Sequence, residues 1–201
     1  YGALNNTWVP FYYDDLKAKA LDKIDARTKN YIFIYSIIVI VFSLWAPEVI
    51  KIFVPPSFWI AIDLLPFFVL GNYFNFLYSF PVNFEFFHKT TYTVAIGTIG
   101  AAVINIAANY ILIPYMGILG AALATLLSYI LLFAFHEVIA TYILPYNYHY
   151  SMKNFLLGIV VVMTCVVGAS ILKEFILIRW SIGLLLVCIW FYSIYQRRSL
   201  F

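Results

Sequence analysis

Charge is what this chain has least of: Asp, Glu, Lys and Arg make up only 10% of 201 residues, against about a quarter in soluble domains. So few charged groups cannot clothe an aqueous surface, and a soluble globular domain is excluded. The net charge of +3 is too small and too dispersed for nucleic-acid binding. Cysteine is almost absent. Cys165 and Cys188 each lie inside an apolar run (VVMTCVVGA and LLLVCIWF), which argues against a disulfide framework or a thiolate metal site and reads as small apolar packing. None of the three histidines has a second ligand at metal-like spacing, and no G-x-S-x-G, P-loop or paired-carboxylate pattern occurs. An enzyme is therefore not expected, nor a cofactor. No Gly/Ser-rich linker or low-complexity tract divides the chain. It also lacks an initiator Met and a signal-like leader, so it reads as the C-terminal part of something longer.

What is there is apolar. Hydrophobic residues account for 65% of the chain, aromatics for 20%, and the mean hydropathy is +0.94. At about 20 residues per crossing, the fold class expected is an all-α polytopic transmembrane bundle of about six spans. The spans fall at about 31–45, 58–80, 91–113, 117–141, 155–172 and 180–195. The first is short unless it continues past Pro47 toward Phe53. The second contains Asp63, Pro66 and Gly71, and the third and fourth meet at a turn supplied by Pro114 and Gly117. Upstream, residues 14–29 read as an amphipathic surface helix: Leu16, Ala20 and Ile24 share a line, while Asp15/Lys19 and Asp25/Lys29 sit four apart. Asn5 to Tyr13 reads as the end of an earlier span.

Lys and Arg mark the cytoplasmic side of membrane proteins. On six spans, Lys17, Lys19, Lys23, Arg27, Lys29, Lys89, Lys153, Arg197 and Arg198 fall on one side, and Lys51, Lys173 and Arg179 on the other. The amphipathic helix, Asn147 and the C-terminus at Phe201 are thus expected in the cytoplasm, with Lys51 and Lys173 outside. Tyr12, Tyr13, Trp45, Trp59, Tyr146, Tyr148, Tyr150 and Trp180 then stand at interfaces as an aromatic belt.

Polar residues inside apolar spans need partners. Asn105 and Asn109 share a face of the third span and read either as interhelical glue or as cavity lining. Asp63, a carboxylate inside an apolar run, is either a proton carrier if desolvated without a partner or a group reaching interfacial water. Tyr73 and Tyr78 belong to the aromatic belt or stack on sugar rings in a cavity. Glu85, His88 and Lys89 read as a solvated helix end or as a polar knot in which Glu85 and Lys89 can pair across one turn; His136, beside Glu137 near the same side, reads as a titrating group or an interfacial anchor, and His149 as an exposed loop residue. Gly117, Gly120, Ala121 and Ala124 give the fourth span a small face at small-xxx-small spacing, suited to close helix contact.

The run from Asn105-Ile-Ala-Ala-Asn109 through Ile113-Pro114 to Gly117-Ile-Leu-Gly120-Ala121-Ala122-Leu-Ala124-Thr125, with Ser128-Tyr129 after it, resembles a signature of polysaccharide (O-antigen type) flippases. These belong to the multidrug/oligosaccharidyl-lipid/polysaccharide exporter superfamily. The layout is similar elsewhere: Asn6-Thr7-Trp8-Val9-Pro10 before a basic helix, Phe76 to Tyr78 late in the second span, and Lys89-Thr90 after it. The resemblance implies most of the C-terminal lobe of a two-lobe transporter whose N-terminal lobe is missing here. It further implies, as substrate, an undecaprenyl-pyrophosphate-linked oligosaccharide flipped across the cell's cytoplasmic membrane. The cations expected around a pyrophosphate would lie in the missing lobe. A related lipid-precursor or multidrug exporter and a non-transporting membrane scaffold are the alternatives.

Overall fold

The computed structural model describes residues 2–146 and 150–197; the expectations for Asn147, Tyr148, His149, Arg198 and Phe201 lie outside the described residues. Among the described residues the chain is helical with no strand: α1 Gly2–Lys17, α2 Leu21–Phe53, α3 Ala61–Phe87, α4 Thr91–Met116, α5 Ile118–Val138, α6 Met152–Ile171 and α7 Ile176–Arg197. A 3₁₀ turn at Pro56–Phe58 precedes α3, and a π-helical stretch, Ile139–Ile143, prolongs α5. Six of the helices, α2 to α7, are long and apolar enough to cross a membrane. This is a multi-pass, all-α membrane architecture.

The helix bounds depart from expectation in four places. Residues 14–29 are not one amphipathic helix: α1 ends at Lys17 and α2 starts at Leu21. Lys19 adopts a left-handed backbone (φ 54°), its N–H donates to the Leu16 carbonyl (3.1 Å), and the Ala20 N–H donates to the Asp15 carbonyl (2.9 Å). That bond pair is a Schellman stop. It is built from Ala-Lys-Ala, all good helix formers, so neither Gly nor Pro announces it. The span expected at 31–45 begins earlier, within a 33-residue helix that starts at Leu21, and it does continue past Pro47 to Phe53, the extension its short length called for.

The span expected to start at Phe58 starts at Ala61 and continues to Phe87, where the same stop recurs. Lys89 has φ 60° and donates to Phe86 O (3.0 Å), while the Thr90 N–H donates to Glu85 O (3.0 Å). Pro114 does not make the turn after the third span, because α4 continues to Met116. Pro114 withholds the N–H that would bond the Tyr110 carbonyl one turn back, yet the helix runs on for two more residues. Gly117 alone turns the chain, at φ 56° and ψ −135°, where a Cβ is strained.

The chain divides into two compact units, one comprising residues 1–24 and 70–150, the other 25–69 and 151–201. In the first, Trp8 and Tyr12 of α1 are buried and stack at 4.3 Å, with Phe80 of α3 and Tyr150 packed against them. Asn83 of α3 donates to Asn5 Oδ1 of α1 (2.9 Å). Helices α4 and α5 pack closely because a Cβ on Gly120 would lie 2.6 Å from the Leu112 carbonyl. Gly120, Ala124 and Ser128, one turn apart in succession, are the buried stripe, whereas Ala121 is half-buried.

In the second unit the Asp25 carboxylate of α2 accepts from the Ser151 N–H and from Asn154 Nδ2, each at 3.2 Å. It places an acid at the N-terminus of α6, where the helix dipole favours negative charge. At the other end of this unit the last turns of α2, the first turn of α3 and the α6–α7 connection come together through the pairs Arg179–Glu48 and Lys173–Asp63. Cys165 is half-buried and Cys188 exposed, both as free thiols.

Candidate functional site

Two polar regions occupy the first unit. One lies along the α4–α5 seam. Asn109 Nδ2 donates to both the backbone carbonyl and Oδ1 of Asn105, each at 2.9 Å. The Asn109 amide donors are thus taken up by Asn105 within the same helix, where an interhelical or aqueous partner was expected. Across the seam, Thr125 and Ser128 turn their hydroxyls to the Ala121 and Ala124 carbonyls (3.0 and 2.7 Å), which keeps them satisfied within α5. Asn105, Thr98, Thr125, Ser128 and Tyr129 line a groove of about 400 Å³ between these helices. Asn109 lines a separate depression beside Tyr110 and Pro114.

The second region is a buried cluster at the end of α3. Glu85 and His136 are both 0% exposed, with Glu85 Oε1 2.5 Å from His136 Nδ1. Thr93, at the start of α4, donates its hydroxyl to Glu85 Oε2. The Glu85–Lys89 pairing expected from spacing does not form the core of this knot: Lys89 sits past the Schellman stop, exposed, while Glu85 points to α5. Gly97 faces His136 and Phe135 so closely that a Cβ would collide with both rings. Tyr78 sets its ring edge-on to His136 at 5.0 Å. His88 stacks on Tyr146 at 3.7 Å, and burial pushes its pKa below the ordinary value.

The other residues singled out from sequence are elsewhere. Tyr73 is buried in the core of the first unit beside Phe76 and lines neither polar region. Asp63 belongs to the second unit, in the first turn of α3; it is exposed and paired with Lys173 (3.1 Å). The condition for a proton-carrying role, desolvation without a partner, is not met there. With Ser43, Pro47, Pro66 and Ser170 this pair lines a cavity of about 210 Å³.

Sequence reasoning missed a heavily bonded group in the second unit. Arg179 is 0% exposed and directs all five of its N–H donors to acceptors: Glu48 through two, and the carbonyls of Leu44, Leu172 and Lys173 through the others. Trp180 also donates to Glu48 (3.2 Å) and stacks on Trp45 at 5.4 Å. The signal was present, since Glu48 and Arg179 are opposite charges in apolar runs, and such charges require partners. Among the described residues no three His, Cys, Asp or Glu side chains gather as a metal site. No family model matches the chain, and neither the curated proteins nor the solved structures contain a match.

Proposed function

We infer that the chain is part of a membrane transporter, not an enzyme, which flips an undecaprenyl-pyrophosphate-linked oligosaccharide repeat unit across the cytoplasmic membrane for surface polysaccharide biosynthesis. The observation that carries this reading is the α4–α5 groove. The segment from Asn105 to Tyr129, which resembles the flippase signature, contributes an amide and three hydroxyls to a groove about 400 Å³ in volume on otherwise apolar helices. Hydroxyl and amide groups are the chemistry that meets a sugar, while the surrounding apolar faces suit lipid. In this reading the missing N-terminal lobe completes the cavity and supplies cations for the pyrophosphate, and the two lobes rock to alternate access.

The orientation that goes with it puts the α1–α2 junction, Lys89 and the C-terminus in the cytoplasm. The grouping of Lys51, Lys173 and Arg179 supports that orientation: α2's last turns and the α6–α7 connection meet at one end of the second unit. The test is the double change Asn105→Ala with Asn109→Ala in a strain lacking its own copy. Because these amides bond chiefly to each other, removing both leaves no buried partner unsatisfied, and membrane abundance should hold while surface polysaccharide is lost. Normal abundance with normal polysaccharide sinks the reading for this groove. Lost abundance assigns the amides to structure.

A further inference from the structure

Glu85, Thr93 and His136 are arranged for one proton more or less. Glu85 Oε1 faces His136 Nδ1 at 2.5 Å, and Oε2 meets the Thr93 hydroxyl. That hydroxyl also lies 2.6 Å from the Thr90 carbonyl oxygen. A hydroxyl has a single proton, so it cannot donate to both oxygens. Either it donates to the carboxylate, or it donates to Thr90 O and accepts from a protonated Oε2. The same heavy-atom positions serve both patterns.

His136 narrows the charge states. Its Nε2 is buried without a hydrogen bond, so an imidazolium there would bury an unpaired N–H. The neutral ring with Nδ1–H on Glu85 avoids that penalty. The cluster then carries one negative charge without the extra proton and none with it. Helix α4 contributes no charged residue. The charged and titratable groups near it on the surrounding elements include Tyr92 beside Thr93 on α4, Glu137 beside His136 on α5, Tyr78 on α3 with its ring edge on the imidazole, and, just beyond α3, Lys89 and the His88 that stacks on Tyr146. The last turn of α1, whose Tyr13 packs on Phe87, adds Asp14, Asp15 and Lys17.

We propose that Glu85, Thr93 and His136 form a proton-binding site in which the Glu85 carboxyl is the seat, Thr93 the two-way hydrogen-bond partner and His136 the donor that holds Oε1. Loading forms an O–H bond at Oε2 while the Thr93 proton turns to the Thr90 carbonyl; unloading reverses both, and the proton leaves to water. With the proton bound, the cluster is neutral and stays closed among α3, α4 and α5, as in this structure. Without it, a net charge in a water-excluded interior favours a form in which the cluster meets water. Proton occupancy thereby couples to conformation. Its use in driving transport rests on the function inferred above, whereas proton binding does not.

Infrared difference spectroscopy of the purified full-length protein in lipid nanodiscs, recorded across acid to alkaline pH, tests the site directly. The expected result is a protonated-carboxyl band that is lost in Glu85→Gln and displaced in frequency in Thr93→Val, which removes the hydroxyl at nearly constant shape. An unchanged carboxyl spectrum in folded Glu85→Gln overturns the proposal. If that variant does not fold, an unchanged spectrum in Thr93→Val overturns it equally. A flipping assay over the same pH range tests the coupling: the wild-type rate should change by about tenfold per pH unit on the limb where the proton is lost, and Glu85→Gln should flatten it. A wild-type-like pH profile in Glu85→Gln overturns the coupling role. A titrating band in a protein that flips nothing keeps the site and rejects the transport reading.

Discussion

Gly120 and His88 show how single side chains set tolerance in the first unit. The α4 backbone lies where a Gly120 side chain would begin, so Gly120→Leu must separate two helices and should cost about 1–3 kcal/mol or more. Leu127→Ala, at an exposed position on the same helix, should cost well under half of that. Thermal unfolding in detergent compares the two, and equal tolerance would mean that the Gly120 face meets lipid instead of α4. His88 gives a pH prediction whose sign follows from burial. Its pKa is lowered from an ordinary 6.5, so the unfolded chain takes up the proton first as pH falls. The stabilisation is complete above about 6.5 and is lost progressively below it. His88→Phe keeps a ring against Tyr146 and removes the titration, so its melting temperature should fall less on acidification than the wild type's. Parallel acid-side curves would refute this. These residues differ in how well the sequence announced them. Gly120 stood out by small-residue spacing. The partner of His136 did not, because Glu85 lies in a different helix and the nearer Lys89 offered a more obvious local pairing.

At the level of helices, two lysines in left-handed conformation end α1 and α3. A non-glycine residue there carries about 1–2 kcal/mol of steric cost, so Lys19→Gly should raise the unfolding temperature. Lys23→Gly, within α2, should lower it by about 1 kcal/mol equivalent. A destabilised Lys19→Gly would contradict the backbone geometry. The Arg179–Glu48 pair ties α7 to α2 in a comparable way. Removing one partner of a buried ion pair costs about 3–5 kcal/mol, so Arg179→Ala should unfold the second unit. Arg179→Lys should fall between, since three donors cannot replace a fork of five. Joint replacement by Arg179→Met with Glu48→Leu should recover only part, because the Leu44, Leu172 and Lys173 carbonyls lose their donor. Full additivity of the single changes in a double-mutant cycle would deny the coupling. The number and type of the long helices were legible because apolar runs of bilayer length have few other uses. Their ends were less so: Ala-Lys-Ala stops a helix at residues 18–20 through bond geometry alone, and Pro114 looked like a breaker yet lies within the final turns of α4.

For the whole chain, the proposed orientation is decided by cysteine labelling in a background with Cys165 and Cys188 replaced. Membrane-impermeant reagents should modify cysteines at 51 and 173 in intact cells and spare one at 147; labelling at 147 reverses the orientation or breaks the six-span count. The division into units has a consequence for the order of synthesis. Residues of the second unit begin at Asp25, ahead of most of the first, yet its remaining half starts only at Ser151. The Glu48 carboxylate therefore leaves the ribosome 131 residues before Arg179, an interval of roughly 7–26 s at about 5–20 residues per second. The first unit is complete only once Tyr150 has emerged, 29 residues before Arg179 (179 less 150), and over that last stretch, roughly 1–6 s at the same rate, it can close while Glu48 still waits without its guanidinium. A nascent chain halted just before Arg179 should accordingly hold a protease-resistant first unit and a second unit open to cleavage.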